Sequence, residues 1–254
     1  MPAISSLEAF ERAAAEFEVA DIRLVVEPSA LLAARRSLDS TGLLLLGEAH
    51  GVRENPLVIR ALMLAFGLTG LALEWPEQLA PAIGDYLAGR PLADHLTLWF
   101  GDGRITAGHL AVLRERAAAG PFDLTLFDGV TGADWGWSQR DEAMADRILA
   151  GATAGTLAVA GNAHTPTGPT SLGVPLGAWL TRQRPGVRSI LIKYGGGHFY
   201  NLEPRRFRPR MPGATVWHHQ IRLRQQRGHL ILDLPGASEA TVPQRPIDLP
   251  RWPG

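Results

Sequence analysis

The sequence predicts an α/β fold in which a mostly parallel central sheet is flanked by helices. Four apolar runs, at 43–46, 71–73, 124–127 and 157–160, have the length and composition of buried strands. The first and last of these runs are apolar at every position, which is typical of strands covered on both faces. Patterns of helical spacing separate the runs, and strands that alternate with helices form parallel sheets.

The helices between these strands are indicated by their first residues and by apolar stripes. Asn55 followed by Pro56 is a typical helix start, with Asn as the N-cap and Pro at the first helical position. Ser138, followed three residues later by Asp141, indicates a second capped start. The expected elements, in chain order and besides the four strands above, are helices at 7–18, 31–38, from Asn55, from Pro76, at 107–118, from Ser138 and at 176–181, and strands at 22–26, 187–193, 214–220 and 229–234.

Ionisable side chains follow all four buried strands at the same end. Glu48 and His50 follow the first strand between two glycines, Glu74 follows the second, Asp128 the third and His164 the fourth. If the strands are parallel, these side chains gather at one edge of the sheet. Ligands of open α/β sheets bind in the crevice beyond that edge. The sequence therefore predicts one functional site that the strand ends share.

The composition argues against several classes of function. The chain has 254 residues, a formal net charge of zero and no cysteine. It therefore has no disulfide, thiol nucleophile or cysteine-based metal site, and its balanced charge argues against nucleic acid or an acidic membrane as partner. No apolar run reaches the length of a membrane span, and the N-terminus lacks the pattern of a signal peptide. We expect a soluble cytoplasmic protein with a small-molecule or peptide substrate; the sequence does not indicate an oligomeric state.

The expected site has two chemical interpretations. Imidazole and carboxylate ligands suit zinc or manganese, so His50, His164 and Glu74 are the candidate ligands if a metal is bound. Without a metal, a histidine beside a carboxylate is an oriented general base for water. Arg140 lies on the buried stripe of its helix and needs an anionic partner there, for which Asp128 and Glu74 are the candidates. An arginine in this position can also hold a developing oxyanion.

Four short motifs occur in a defined order along the chain. They are Gly47-Glu48-Ala49-His50-Gly51, Leu73-Glu74, Arg140-Asp141-Glu142-Ala143-Met144-Ala145 and Gly161-Asn162-Ala163-His164. In order and approximate spacing these motifs resemble those of the erythromycin esterase and ChaN-like superfamily. The resemblance covers about residues 40 to 195.

This resemblance implies a compact α/β fold with a cleft at the strand ends. In the esterase branch, the histidine that His50 matches is the proposed general base that activates water on a macrolide lactone. Glu74, Arg140 and His164 match the other site positions of that branch, and Glu48 accompanies the base. The ChaN branch instead binds haem in an exported lipoprotein, and more distant relatives are metal-dependent proteases.

The residues and the resemblance together predict a hydrolase of the erythromycin esterase-like type that cleaves an ester, lactone or amide. His50 would take a proton from water, oriented by Glu48 or Glu74, while Arg140 and His164 would hold the acyl group and its oxyanion. This chemistry requires no cofactor, although the same residues can be arranged around a divalent metal. The chain is shorter than the macrolide esterases, so the substrate stays open.

Three alternatives to this hypothesis stay open. The first is a metal-dependent hydrolase of the protease-like type, and the second is a biosynthetic tailoring enzyme that acts on a peptide or secondary metabolite. The third is a protein that binds haem or another flat hydrophobic ligand, with Trp99, Trp135 and Trp137 as pocket walls. The lack of a His-x-x-x-His pair disfavours a strong zinc site, and the lack of a lipoprotein cysteine disfavours the exported haem-binding branch.

The sequence also predicts how the chain is divided. We expect an α/β catalytic domain over residues 1–203 and a C-terminal extension over 204–254, packed on the same domain, because proline and arginine dominate the later segment. Arg53 and His198 join Asp128 as expected substrate-binding residues. His198 follows three glycines, and we expect it on a flexible loop.

Overall fold

The computed structural model describes residues 3–129, 136–207 and 220–245. Its centre is an eight-stranded sheet. With strands numbered in chain order, the sheet runs β2 (Arg23–Val26), β10 (Gln220–Gln226), β11 (His229–Leu234), β7 (Arg188–Tyr194), β3 (Leu43–Glu48), β6 (Thr156–Gly161), β4 (Gly70–Pro76) and β5 (Asp123–Asp128). Two smaller sheets pair β1 (Ala3–Ile4) with β12 (Val242–Pro243) and β8 (Gly197–Asn201) with β9 (Glu203–Phe207).

The central sheet is mostly parallel. All neighbours from β11 through β5 pair in the parallel sense. The direction reverses once, because β10 is antiparallel to β11 and β2 is parallel to β10. The predicted mostly parallel sheet is therefore confirmed, and the four strands that carry the motifs are neighbours in the order β3, β6, β4, β5.

Helices cover the two faces of this sheet unequally. The larger core packs α1 to α5 on one face, and the smaller core packs α6 and α7 on the other. Among the described residues, no helix is both long enough and apolar enough to cross a membrane. The helices are α1 (Leu7–Ala15), α2 (Pro28–Thr41), α3 (Asn55–Phe66), α4 (Ala80–Leu87), α5 (Ala107–Ala119), α6 (Trp137–Gly151) and α7 (Leu176–Gln183), with 3-10 turns at Glu77–Leu79 and Leu96–Trp99.

The leucine run of β3 is apolar throughout because helices cover both of its faces. Leu44 and Leu46 point into the larger core, whereas Leu43 and Leu45 point into the smaller one. All four side chains are at most 1% exposed. Burial of each contributes about 1.5–3 kcal/mol to stability, so this strand anchors both layers and holds its last residues in place.

Two helices begin at other residues than the capping pattern predicts. α3 begins at Asn55 itself, after Glu54, and α6 begins at Trp137, after Gly136. In both helices the expected N-cap side chain bonds to a distant part of the chain instead. The Asn55 amide donates to the Ala49 carbonyl at 2.8 Å, and the Ser138 hydroxyl accepts the Val174 N–H at 2.9 Å. A side chain with a tertiary partner of this kind does not cap its own helix.

The C-terminal part of the chain contributes to the central sheet. β10 and β11 lie between β2 and β7, so residues 220–226 and 229–234 are internal strands. The hairpin of β8 and β9 spans the position at which the sequence predicts the domain boundary. His198 lies in β8, so the expectation of a flexible loop at this residue was wrong: backbone pairing to β9 orders it. The strand expected at 214–220 falls outside the described residues except for Gln220.

The segment after His50 is fixed by backbone contacts with three parts of the chain. The Gly51 N–H donates to the Gly103 carbonyl at 2.9 Å, and the Gly51 carbonyl accepts the N–H groups of Tyr200 at 2.9 Å and Ala240 at 3.0 Å. Gly51 has a φ of 73°, and a Cβ atom there would lie 1.6 Å from the Tyr200 carbonyl oxygen. Only glycine fits, because both the conformation and the space exclude a side chain.

Replacement of Gly51 by alanine tests this constraint. Gly67 also has a positive φ, of 66°, but no atom lies within 4 Å of its Cβ position, so it is the matched control. We expect Gly67→Ala to lower the free energy of unfolding by about 1 kcal/mol, and Gly51→Ala by about 3 kcal/mol or more. Urea denaturation measures both changes. Equal losses would show that the contact with Tyr200 relaxes without cost.

Candidate active site

The structure brings the strand-end residues of β3, β6, β4 and β5 together at one edge of the sheet. Glu48, Glu74, Asp128 and His164 are all buried there, with at most 6% of each residue exposed. The side chain of His50 is 17% exposed and is therefore the more accessible of the two histidines. The cause is the parallel pairing of four neighbouring strands, whose carboxyl ends meet at this edge.

Glu74 is the centre of this cluster. Its Oε2 accepts the Gly161 N–H at 2.8 Å and lies 3.8 Å from His50 Nε2. Its Oε1 lies 3.2 Å from Arg140 Nη2 and 3.6 Å from His164 Nε2. Burial raises the pKa of Glu74, but the surrounding histidines and arginines outweigh burial and hold this pKa far below its usual value. This direction favours the ionised form of the Glu74 carboxylate.

Glu48 and His50 form a second pair within the cluster. His50 Nδ1 lies 3.4 Å from Glu48 Oε1, while Glu48 Oε2 is buried and has no hydrogen-bond partner among the described residues. Burial raises the pKa of Glu48 despite the neighbouring imidazole. Burial lowers the pKa of His50, but the hydrogen bond to Glu48 and the charge of Glu74 outweigh it, so the net shift is upward. Both pKa shifts are upward and favour the protonated forms, so a proton is retained by Glu48 and His50 together.

Ala49, between these two residues, is held by both of its backbone polar groups. Its N–H donates to the Tyr194 hydroxyl at 2.9 Å, and its carbonyl accepts the Asn55 amide at 2.8 Å. The Tyr194 hydroxyl donates in turn to Asn55 Oδ1 at 3.0 Å, which closes the network. Burial raises the pKa of Tyr194 well above its usual value, so the hydroxyl stays protonated. Phe207, in the β8–β9 hairpin, stacks on the Tyr194 ring with centroids 4.5 Å apart.

Asp141 is a site residue that the sequence interpretation assigned only to a helix start. Its two carboxylate oxygens lie 2.8 and 2.9 Å from His164 Nδ1, and Oδ2 also accepts the Leu176 N–H at 2.7 Å. The Trp137 ring stacks on the His164 imidazole with centroids 4.4 Å apart and an interplanar angle of 8°. His164 is thereby fixed by Asp141 and Trp137, and its Nε2 faces Glu74. The adjacent Arg140-Asp141 pair was the available signal, since both residues serve the site from one helix turn.

Arg104 is a second residue that sequence reasoning missed. Its Nε bonds to Asp102 at 2.7 Å, its Nη1 contacts Asp128 Oδ2, and its backbone carbonyl accepts the Trp75 indole N–H at 2.9 Å. Arg140 approaches the same Asp128 carboxylate with Nε at 3.2 Å and Nη2 at 3.0 Å. Arg140 thus has both of the anionic partners that the sequence proposes for it. Arg104 lies in an irregular loop directly after Gly101-Asp102-Gly103, where no periodicity reveals a buried position.

Arg53 and His198 lie apart from this cluster. Arg53 is exposed and places its guanidinium over the Phe17 ring, 5.2 Å from the centroid. His198 is exposed on β8, opposite Arg206. Its backbone N–H donates to the Ala237 carbonyl at 2.9 Å. Within the described part of the chain, neither side chain has a hydrogen bond or ion pair with the clustered carboxylates.

The residues of the cluster fit a divalent metal poorly. Among the described residues, no group of three or more histidine and carboxylate side chains is arranged to hold a metal ion. Glu74, the expected carboxylate ligand, already faces the guanidinium groups of Arg104 and Arg140, and these positive charges oppose a bound cation. The three-residue set of His50, His164 and Glu74 therefore supports no metal-centred step.

The tryptophans expected for a flat hydrophobic ligand have other partners. Trp99 is 2% exposed in the larger core, and its indole N–H bonds to Asp94. Trp137 stacks on His164, whose two ring nitrogens face carboxylates. Trp135 lies outside the described residues.

Removal of the Glu48 charge tests why the pKa of His50 is raised. We expect Glu48→Gln to lower the pKa of His50, because the substitution removes a hydrogen-bonded carboxylate that favours the imidazolium. An NMR titration of 13C-labelled histidine measures this pKa directly. Glu77→Gln, which alters an exposed ion pair with Arg147, is the control and should leave the titration unchanged. A His50 pKa unaffected by Glu48→Gln would contradict the assigned pairing.

Removal of the Tyr194 hydroxyl tests whether this network positions His50. Tyr194→Phe removes the partner of the Ala49 N–H and of Oδ1 of the buried Asn55, so we expect it to lower the free energy of unfolding by about 1–3 kcal/mol. It should also shift the His50 titration. Tyr200→Phe removes a hydroxyl that bonds to Leu202 at 3.1 Å, on the far side of the hairpin, and should leave that titration unchanged. Identical His50 titrations in both variants would remove Tyr194 from a positioning role.

Comparison with models of protein families and with curated proteins finds no match. A solved structure described as "Crystal structure of bacterial protein toxins" is 20% identical over 74% of this chain, with a TM-score of 0.46. A second, described as "Bacterial protein toxins", is 16% identical over 82% of this chain, with a TM-score of 0.42. The chain spans 42% and 45% of the lengths of these two proteins. Likeness of this size carries no argument about activity.

Proposed function

We propose that the chain is a hydrolase of the erythromycin esterase-like type, which cleaves an ester, lactone or amide with water activated by His50. The observation that supports it is the position of His50 between two buried carboxylates, Glu48 on Nδ1 and Glu74 on the side of Nε2. A partly exposed imidazole between two carboxylates has the orientation and the raised pKa of a general base. We also propose that the α/β fold is the one of the erythromycin esterase and ChaN-like superfamily.

In the proposed reaction, His50 donates its Nδ1–H to Glu48 and accepts a proton from water at Nε2. The resulting hydroxide attacks the acyl carbon and forms a tetrahedral oxyanion. Glu48 and Glu74 stabilise the imidazolium, because both carboxylates lie within 4 Å of the ring nitrogens. The imidazolium then returns its proton to the leaving alkoxide or amine, so that the products are a carboxylic acid and an alcohol or amine.

Arg140 is the proposed group that holds the oxyanion. Its side chain is 25% exposed, compared with 13% for Arg104, so it has the greater access to a ligand. Bonds to Asp128 and Glu74 fix its guanidinium before the substrate arrives. A donor that is oriented in advance stabilises developing charge without reorganisation.

His164 has a positioning role in this proposal. Its bonds to Asp141 and its stacking on Trp137 leave it 6% exposed. Its Nε2 faces Glu74 at 3.6 Å, so it orients the carboxylate that faces the base. Asp141 acts on Glu74 through His164, in the same way that outer carboxylates orient reacting histidines elsewhere.

Hydrolysis of a panel of aryl esters, macrolide lactones and small amides tests the proposal. We expect His50→Ala to reduce turnover by about 10²–10⁴-fold, and Arg140→Gln by about 10²–10³-fold. His95→Ala is the control, because His95 caps a 3-10 turn outside the cluster. Since the base must be neutral and its pKa is raised, kcat/KM should increase with pH through a limb that lies above pH 6.5.

The panel is assayed with and without a chelator. Turnover that is lost in His50→Ala and insensitive to the chelator is the expected result. Turnover that the chelator abolishes would replace the proposal by a metal-dependent hydrolase. Full activity of folded His50→Ala would remove His50 as the base.

A further inference from the structure

Among the described residues, one part of the central sheet has no helix on its second face. Ile190 and Ile192 of β7 point into the larger core, so Leu191 and Lys193 point to the opposite face. Within the described residues, the smaller core that covers this face contains residues of β3, β4, β5 and β6 but none of β7, β10 or β11. Parallel strands are usually covered on both faces, so this gap is a distinctive feature of the fold.

A groove of about 980 Å³ lies over this uncovered part of the sheet. Strands β7 and β11 form its floor, the hairpin that joins β10 to β11 closes one end, and the segment 165–170 forms a wall. This volume lies near the upper limit of small-molecule sites. The lining includes none of the clustered side chains around His50, although Asn162 of the lining follows Gly161, whose N–H bonds to Glu74.

The ionisable side chains that line the groove are all basic. They are Arg188, Lys193, Arg227 and His229, and no aspartate or glutamate is among the lining residues. This is unusual in a chain with equal numbers of acidic and basic residues. Lys193 has its ammonium 3.4 Å from the neutral Gln226 Oε1.

The floor of the groove supplies apolar surface between these charges. Leu191 and Ile231 are paired across β7 and β11, and both line the groove. The threonine hydroxyls of the wall add neutral hydrogen-bonding groups. A ligand that matches all three features has an anionic group for the basic rim and an apolar body for the floor.

We propose that this groove binds a small organic anion with an apolar body, such as a medium-chain carboxylate, at a site separate from the cluster around His50. The anionic group contacts Lys193 or Arg227, and the apolar body lies on the half-buried Leu191, beside the buried Ile231. Because the basic side chains are partly or fully exposed, binding weakens as salt concentration rises. The apolar contribution remains at high salt.

Lys193 provides a direct probe of this site, because it is the only lysine of the chain. Reductive methylation with 13C-formaldehyde preserves the charge and labels two amines, Lys193 and the N-terminus. We expect octanoate to shift the Lys193 NMR signal in a saturable manner and to leave the N-terminal signal in place. Acetate at the same concentration should leave both signals in place, because it lacks an apolar body.

Three variants locate the binding site. Arg227→Gln and Leu191→Thr should each weaken octanoate binding by about threefold to tenfold. Arg36→Gln is the matched control, because Arg36 is exposed on α2, which packs on the opposite face of the sheet. His50→Ala should leave octanoate binding unchanged, so the result is independent of the proposed hydrolase activity.

Four outcomes would overturn the proposal. They are a Lys193 signal that does not saturate, equal shifts of both amine signals, an effect of Arg36→Gln as large as that of Arg227→Gln, and loss of binding in His50→Ala. A hexaglutamate peptide that shifts the Lys193 signal at lower concentration than octanoate would also overturn it, since the groove would then take an acidic peptide.

Discussion

The buried carboxylate of Glu74 is the interaction on which the rest of the site depends. A charge at this depth is unfavourable unless it is paired and hydrogen-bonded. Glu74 has partners from four separate segments: Gly161 and His164 at the end of β6, Arg140 on α6, Arg104 in the loop before α5, and His50 after β3. Each segment must be in place before the charge is neutralised, so the cluster and the packing around the strand ends form together.

The C-terminal strands and hairpin belong to the same structural unit as the site. The β8–β9 hairpin supplies Phe207, which packs on Tyr194, and the Tyr200 N–H, which bonds to Gly51. Tyr194 and Gly51 fix the backbone on either side of His50. The role proposed for His50 needs this support, because a general base acts only when its lone pair is held toward the reacting water.

The two faces of the sheet have different roles. In the described part of the chain, five helices pack on one face of the sheet, and two helices pack on the other face over β3, β4, β5 and β6. The covered part carries α6, which delivers Arg140 and Asp141 to the strand ends. The uncovered part, over β7 and β11, is where the basic groove lies. One sheet thereby presents two chemically distinct surfaces, one with buried carboxylates and one with exposed cations.

The sequence by itself determined the class of fold and most of the residues at the strand ends. Apolar runs such as 43–46 can be recognised as strands, because a strand buried on both faces of a sheet needs apolar residues throughout. The polar residues that follow can be assigned to one site, because parallel strands end at one edge of the sheet. Only the tertiary structure decided the roles of Arg104, Asp141 and Tyr194. Their partners lie 24, 23 and 145 positions away in the chain. No local periodicity records such a contact, because side chains from different elements meet only after the elements pack.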